Sequence, residues 1–409
     1  MWQFVSVILA FFLLSVLTSR LKWNLALSMA VCGLVIHLFA LRSLERIYTA
    51  FINIFSFSSV NVIATIFLIG VLSSLMKHYQ FLDGIISSLK SLLRNRKLLL
   101  GMIPFIIGTL SVPGGALLSA PFADDLGKEM DIAPEKRVVI NLSFRHIGIL
   151  INPFSTPLLF IAASIPNMNI YHLILLNIPF ALIIQIGATL CYMPRHCQPS
   201  IESGNTLSKK ESLKNLLKGL SPIILAILLN GLFHLPMSAA IALSIVWVWA
   251  ISPKTDFIKF FRRGCSLEVP LILIAVYFIQ NTILQMTDIM NAFNNILQNP
   301  SILVILFAVI GGCLFIGLVT GMHLSTLGVF IPIMLAAPME PNYRLLIIFF
   351  LYIWSILGYY YSPLHLCQLL TIKYIKTSTK TVYKEHLKLF PWLAAASFGL
   401  YYLYRLWLL

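Results

Sequence analysis

Apolar runs close to the length of a bilayer crossing, about 20 residues, recur along this chain and leave it almost no way to fold in water. They cover Trp2 to Thr18, Asn24 to Leu41, Phe57 to Met76, Arg137 to Pro166 and Tyr171 to Met193, then Leu220 to His234, Pro236 to Ile251, Val269 to Met286, Tyr343 to Ile375 and Pro391 to Leu408. Of the 409 residues 59% are hydrophobic and 11% charged, whereas a soluble domain carries about 25% charged residues. In lipid, where every backbone polar group must be satisfied internally, such runs are helices. The chain therefore reads as an all-α polytopic membrane protein whose first partner is the lipid bilayer. The apolar start has no basic leader and no small-residue cleavage site, so a retained first span is expected rather than a signal peptide. The net charge of +15 comes from Lys and Arg scattered through loops, not from a stripe interleaved with aromatics. That distribution argues against nucleic acid and marks topology instead. Six cysteines form no CxxC pair, and His196 beside Cys197 reads as ordinary loop.

Two further apolar stretches, Leu98 to Asp124 and Ser301 to Pro338, are interrupted near their centres by SVPGGA and VTGMHLST. Sliding the chain by 207 residues aligns nine identities between Gly108 and Leu158 and their partners, among them Gly114 with Gly321, Arg137 with Arg344 and Ser155 with Ser362. Composition alone would give roughly four. If each interrupted stretch is a re-entrant hairpin, each half has five crossings and the halves are inverted relative to each other. One side of the membrane then receives 24 Lys and Arg and the other 4, with Arg145 inside a span; if both stretches crossed, the split would fall to 16 against 12. The positive-inside rule selects the hairpins. The expected architecture is an inverted repeat: residues 1–193 with a hairpin near 98–126 and a broken helix near 137–166, a cytoplasmic linker over 194–219, and residues 220–409 with a hairpin near 301–338 and a broken helix near 343–376. Both termini are expected outside the cell.

Re-entrant backbone is tolerated only where it is buried in protein or lines a polar cavity, so GTLSVPGGALLSAP and GLVTGMHLSTLG are candidate halves of one site. Ser111 and Thr320 are placed to cap the helices that restart after the tips. Pro113 with Gly114, Gly115 and Gly321 allows a tight reversal and close approach of a ligand to backbone. In NPFSTPLL, which carries Asn152 and Ser155, Thr156 is expected as an N-cap with Pro157 at the first helical position, and YYYSPLHL repeats the device with Ser362 and Pro363. Four half-helix N-termini would then present free N–H groups and positive dipole ends, which suit a small anionic substrate. Arg145, in INLSFRHIGILINPF, lies eight residues into its span, about 12 Å deep at 1.5 Å per residue. No Asp or Glu occupies the middle of any span, so Arg145 reads as the counter-charge of that substrate. His146, His323 and His365 fall within the broken elements and are candidates for a coupling proton, whereas His37 reads as a packed core histidine. Sodium coupling would draw on backbone carbonyls with Asn141, Asn152, Ser111, Ser119, Ser325, Thr326 or Ser362. No other cofactor or metal is expected.

PGGALLSAP, NLSFRHIGILINPF and SPLHLCQLLT resemble a prokaryotic integral-membrane family, domain of unknown function 401, placed in the ion transporter superfamily beside divalent-anion and citrate symporters. The resemblance spans nearly the whole chain. It implies a scaffold domain and a mobile, elevator-type transport domain carrying the hairpins and broken helices, small anions moved with sodium or protons, a homodimer, and the cytoplasmic membrane of a prokaryote. It places roles on Ser111, Pro113, Gly114, Gly115, Asn141, Arg145, His146, Thr320, Gly321, His323, Ser362, Pro363 and His365. After Arg145 and His146 the family commonly has an aromatic and an acidic residue, where Gly148 and Ile149 stand here.

A secondary anion transporter is thus the expected function. A flippase for an anionic lipid carrier would use the same arginine but needs a lateral opening between spans. A membrane hydrolase would need HExxH, GxSxG or paired carboxylates, none of which occurs, and two hairpins from opposite faces suit alternating access better than a passive channel. A single cysteine placed between Pro194 and Gly219 of a cysteine-free variant should resist a membrane-impermeant maleimide in intact cells and react after permeabilisation. Labelling of intact cells would reverse the topology.

Overall fold

The structure is a computed structural model that describes residues 2–93, 95–109, 115–194, 208–253, 255–297, 301–336 and 339–409, and every regular element among them is helical. The first half contains α1 (Trp2–Ser19), α2 (Leu25–Ala40), α3 (Leu44–Ile52), α4 (Phe57–His78), α5 (Phe81–Leu92), α6 (Arg96–Thr109), α7 (Gly115–Glu129), α8 (Pro134–Ile151), α9 (Thr156–Ser164) and α10 (Ile170–Tyr192). The second contains α11 (Lys209–Gly231), α12 (Met237–Ile251), α13 (Phe257–Gly264), α14 (Glu268–Ile283), α15 (Thr287–Leu297), α16 (Ile302–Thr320), α17 (His323–Ala336), α18 (Pro341–Tyr360), α19 (Leu366–Ile375), α20 (Thr379–His386) and α21 (Phe390–Leu408). Long and short helices follow the same order in both halves, apart from the extra α20.

Local chemistry sets the helix starts. The Asn24 side chain accepts from Ala26 and Leu27 N–H at α2, Ser56 accepts from Ser59 N–H at α4, and Ser208 with Glu211 forms a capping box at α11. Pro134 and Pro341 open α8 and α18 where a missing N–H costs nothing. The protein is an integral membrane protein: seven helical stretches among the described residues are long and apolar enough to cross a bilayer. The sequence reading counted ten crossings. Part of the difference is length, since α2 and α12 reach only 16 and 15 residues, or about 24 Å at 1.5 Å per residue. Leu9, Leu190, Val246 and Leu406 are exposed on the outer helices, as lipid contact requires.

Packing repeats across the halves. α1 packs on α2 as α11 does on α12, α6 on α8 as α16 on α18, and α8 on α10 as α18 on α21. The halves also exchange partners, since α7 packs on α19 and α17 on α9. Close approach of α16 to α18 rests on small residues, the usual basis of helix association in lipid: a Cβ on Gly317 would lie 2.7 Å from the Gly358 carbonyl carbon, and one on Gly358 would strike the Cys313 carbonyl. Gly358→Leu should therefore destabilise the detergent-solubilised protein by about 1–3 kcal/mol or more, read as a lower melting temperature by size exclusion. Gly311→Leu on the facing helix α16, where a Cβ meets nothing within 4 Å, should leave it unchanged; equal losses would refute the packing account.

Candidate functional site

The breaks that follow α8 and α18 each carry one polar residue that ties the break to a neighbouring helix. α8 ends where Asn152 donates its backbone N–H to Gly148 O. The Asn152 side-chain Nδ2 donates to Thr109 O at the end of α6 (2.5 Å), and its Oδ1 accepts Phe154 N–H (3.1 Å). Beyond α18, Ser362 Oγ donates to Leu318 O in the last turn of α16 (2.7 Å) and accepts Leu364 N–H (3.1 Å). Orphaned carbonyls and amides of interrupted helices are thereby satisfied without water. Gly321 ends α16 at φ +64° with its N–H on Gly317 O, a left-handed cap that favours glycine. Leu364 backbone lies against it, 2.9 Å from where a Cβ would stand.

The restart points differ from the sequence reading. α9 starts at Thr156, with Ser155 as a cap residue that makes no side-chain capping bond. α19 starts only at Leu366 with His365 before it, so Ser362 and Pro363 lie in the connecting turn. Thr320 is the last residue of α16: its Oγ1 donates to Ile316 O (2.7 Å) and accepts Met322 N–H (3.2 Å), holding the turn rather than capping α17. In all three cases proline or hydroxyl spacing located the break and misplaced the restart by a few residues. Ser111, Pro113 and Gly114 fall outside the described residues.

Arg145, on α8, lies between two helix starts. A Cβ on Gly115, the first residue of α7, would come 2.7 Å from Arg145 Nη2, and Arg145 Nη1 donates to Cys367 Sγ in the first turn of α19 (3.0 Å). No ion pair among the described residues involves Arg145. Asp124 is taken by Arg137 (2.8 Å) and Lys128 (2.5 Å), nine residues or about 14 Å along α7 from Gly115. Next to Arg145, His146 shares Nε2 with His365 Nε2 at 3.1 Å. The Nδ1 of His146 meets Leu142 O (2.6 Å) and that of His365 meets Tyr360 O (3.2 Å). Tyr359 packs among them, its ring centroid 4.2 Å from His365, 4.8 Å from His323 and 5.7 Å from His146, with its hydroxyl 3.9 Å from Cys367 Sγ. His323 opens α17, and both its ring nitrogens are shielded and make no hydrogen bond to described residues. One turn before Arg145, Asn141 Nδ2 donates to Thr371 Oγ1 on α19 (3.2 Å) and Ala116 O on α7 (3.5 Å).

Of the residues singled out in the sequence, the structure therefore brings Gly115, Asn141, Arg145, His146, His323 and His365 to one place. Asn152, Ser155, Thr156, Thr320, Gly321, Ser362 and Pro363 belong to the breaks and turns. On α17, Ser325 is turned to Met29 Sδ of α2 (3.8 Å), and Thr326 is buried beside it. Sequence reasoning passed over Cys367, Tyr359, Tyr360 and Ser143, whose hydroxyl meets Tyr360 OH at 2.7 Å; the available signal was Cys367 two residues after His365 in SPLHLCQLLT. His37 is the packed histidine expected, buried against Thr282 Oγ1 (3.3 Å) and Ser43 O (3.1 Å). Starts of α7 and α19, with their positive dipole ends, thus flank a cation that has no carboxylate partner among the described residues. Two crevices lie elsewhere: one of about 520 Å³ between α6, α8 and α10, and one of about 510 Å³ beside α2, α3 and α14. Neither is lined by Arg145 or the histidine pair.

A family model described as "Protein of unknown function (DUF401)" matches residues 4–402. The chain belongs to the DUF401 family. Among curated proteins none matches it. Among solved structures this DUF401 protein is similar to the Alcanivorax borkumensis YdaH transporter, which has an unusual topology, with a TM-score of 0.58 and 14% identity over 90% of this chain and 89% of that one. At that identity the likeness is one of fold. Removing the hydroxyl in Ser362→Ala strips Leu318 O and Leu364 N–H of a partner and should cost the DUF401 protein about 1–3 kcal/mol, measurable as a lower melting temperature. An unchanged melting temperature would show that the break is held by something else.

Proposed function

We propose that this protein is a secondary active transporter of a small anionic solute, a carboxylate or similar oxyanion, driven by a sodium or proton gradient. One observation carries the reading: Arg145 lies between the N-termini of α7 and α19 with no carboxylate partner among the described residues. A cation so placed within a span recruits an anion, and half-helix N-termini supply N–H donors for it. The fold shared with a transporter supports the class.

In this reading the chain is a member of the ion transporter superfamily and an inverted repeat. α6 to α9 and α16 to α19 form the transport domain, which moves as an elevator against the other helices. It works as a homodimer in a prokaryotic cytoplasmic membrane, with both termini outside and the 194–219 linker inside. Substrate meets Arg145, Gly115 and Asn141, with Ser111, Pro113 and Gly114 of the SVPGGA stretch, and no catalytic step is assigned. A lipid-carrier flippase is the second reading, favoured by the apolar crevice between α6, α8 and α10, which has Asn95 and Lys97 at one end. Arg145 is absent from that crevice's lining, which gives the soluble anion precedence.

The test is thermal stabilisation of purified protein by succinate, citrate, phosphate and sulfate. At least one should raise the melting temperature, and the rise should vanish in Arg145→Ala. Stabilisation by anionic phospholipid alone would put the lipid reading in its place.

A further inference from the structure

Beyond the anion, the histidine pair beside Arg145 has a feature that anion binding does not explain. Leu142 O and Tyr360 O only accept hydrogen bonds, so the nitrogens facing them, His146 Nδ1 and His365 Nδ1, carry hydrogens. A neutral imidazole has one N–H, which leaves both Nε2 atoms as lone pairs facing each other at 3.1 Å. Lone pairs at that distance repel unless a cation lies between them. A third donor converges on the same place: the His146, His365 and Cys367 ligand atoms all lie within 4.8 Å of one another. We propose that His146 Nε2, His365 Nε2 and Cys367 Sγ form a binding site for a thiophilic d10 metal ion, Zn2+ or Cu+.

The geometry is that of a ligand set held ready. With metal–nitrogen bonds of about 2.0–2.1 Å, two ligating nitrogens in a tetrahedral site stand roughly 3.3 Å apart, close to the separation found. An N–H to backbone carbonyl bond on the far nitrogen is how metal-ligating histidines are oriented, and here both have one. Residues two apart on a regular helix point away from each other. His365, however, precedes α19 with φ −63° and ψ 103°, outside helical geometry, so it and Cys367 can face one point. Two imidazoles and a thiolate with no carboxylate select Zn2+ or Cu+ over Mg2+ and Ca2+. On binding, the Cys367 thiol releases its proton to solvent and the thiolate takes the metal, while the Arg145 N–H bond to sulfur balances its charge. A bound cation adds positive charge beside Arg145, so the metal and an anion reinforce each other, yet the metal site does not depend on which solute is carried.

Full-length protein purified under reducing conditions, stripped with a chelator and dialysed against Zn2+ should retain about one ion per chain by elemental analysis. Anaerobic titration with Cu+ against a chromophoric chelator distinguishes the two ions, and Co2+ should give a thiolate-to-cobalt charge-transfer band. Cys367→Ser should abolish that band and His365→Gln should weaken affinity at least about 10–100-fold, whereas His37→Gln should change neither. Each variant is first shown to be monodisperse, and near-isosteric Cys367→Ser keeps the test valid if His365→Gln does not fold. Monodisperse wild-type protein that takes up neither ion and gives no cobalt band would overturn the proposal, leaving a shared proton between the rings. Uptake undiminished in Cys367→Ser and His365→Gln would overturn it too, by placing the metal elsewhere.

Discussion

Backbone N–H and C=O groups released at bilayer depth have no water to turn to, and each long broken helix answers this with one side chain. Asn152 serves the break after α8 and Ser362 the break after α18, each reaching the last turn of the helix packed alongside, α6 or α16. A helix that stops inside a membrane has to be stitched to a neighbour. Here the stitches run within each half, while α7 on α19 and α17 on α9 lock the halves together. Small residues let α16 and α18 come close enough for the Ser362 bond to form.

Those breaks also produce the chemistry. Once α18 ends at Tyr360 and α19 restarts at Leu366, His365 and Cys367 are delivered to the flank of α8 beside Arg145 and His146. An unbroken helix would carry the two residues on different faces. The same event leaves free N–H groups at the helix starts, so positive potential gathers where a cation already stands. The proposed anion site and the nitrogen–sulfur ligand set thus share one origin. Each rests on the backbone being interrupted in that place.

Much of this was legible in the residues. Apolar run lengths gave the helical membrane class, and the polar insertion VTGMHLST marked where α16 stops and α17 begins. Arg145 stood out because an unpaired charge within a span is costly. Restart positions were harder, since a Ser or Thr before Pro is a good cap only if the chain direction allows it, and at Ser362 the hydroxyl is spent on Leu318 O instead. Cys367 escaped notice because a lone cysteine in an apolar segment looks like core. Only the approach of α8 from 222 residues away gives it Arg145 as a partner. Long-range pairing of that kind leaves no periodic trace in sequence.

The account stands or falls on Arg145 meeting a transported anion. Uptake of radiolabelled succinate, citrate, phosphate and sulfate into proteoliposomes, with an imposed sodium or proton gradient, measures this directly. The account predicts gradient-driven accumulation of at least one of them that Arg145→Ala abolishes. Accumulation that persists undiminished in a folded Arg145→Ala protein would contradict it.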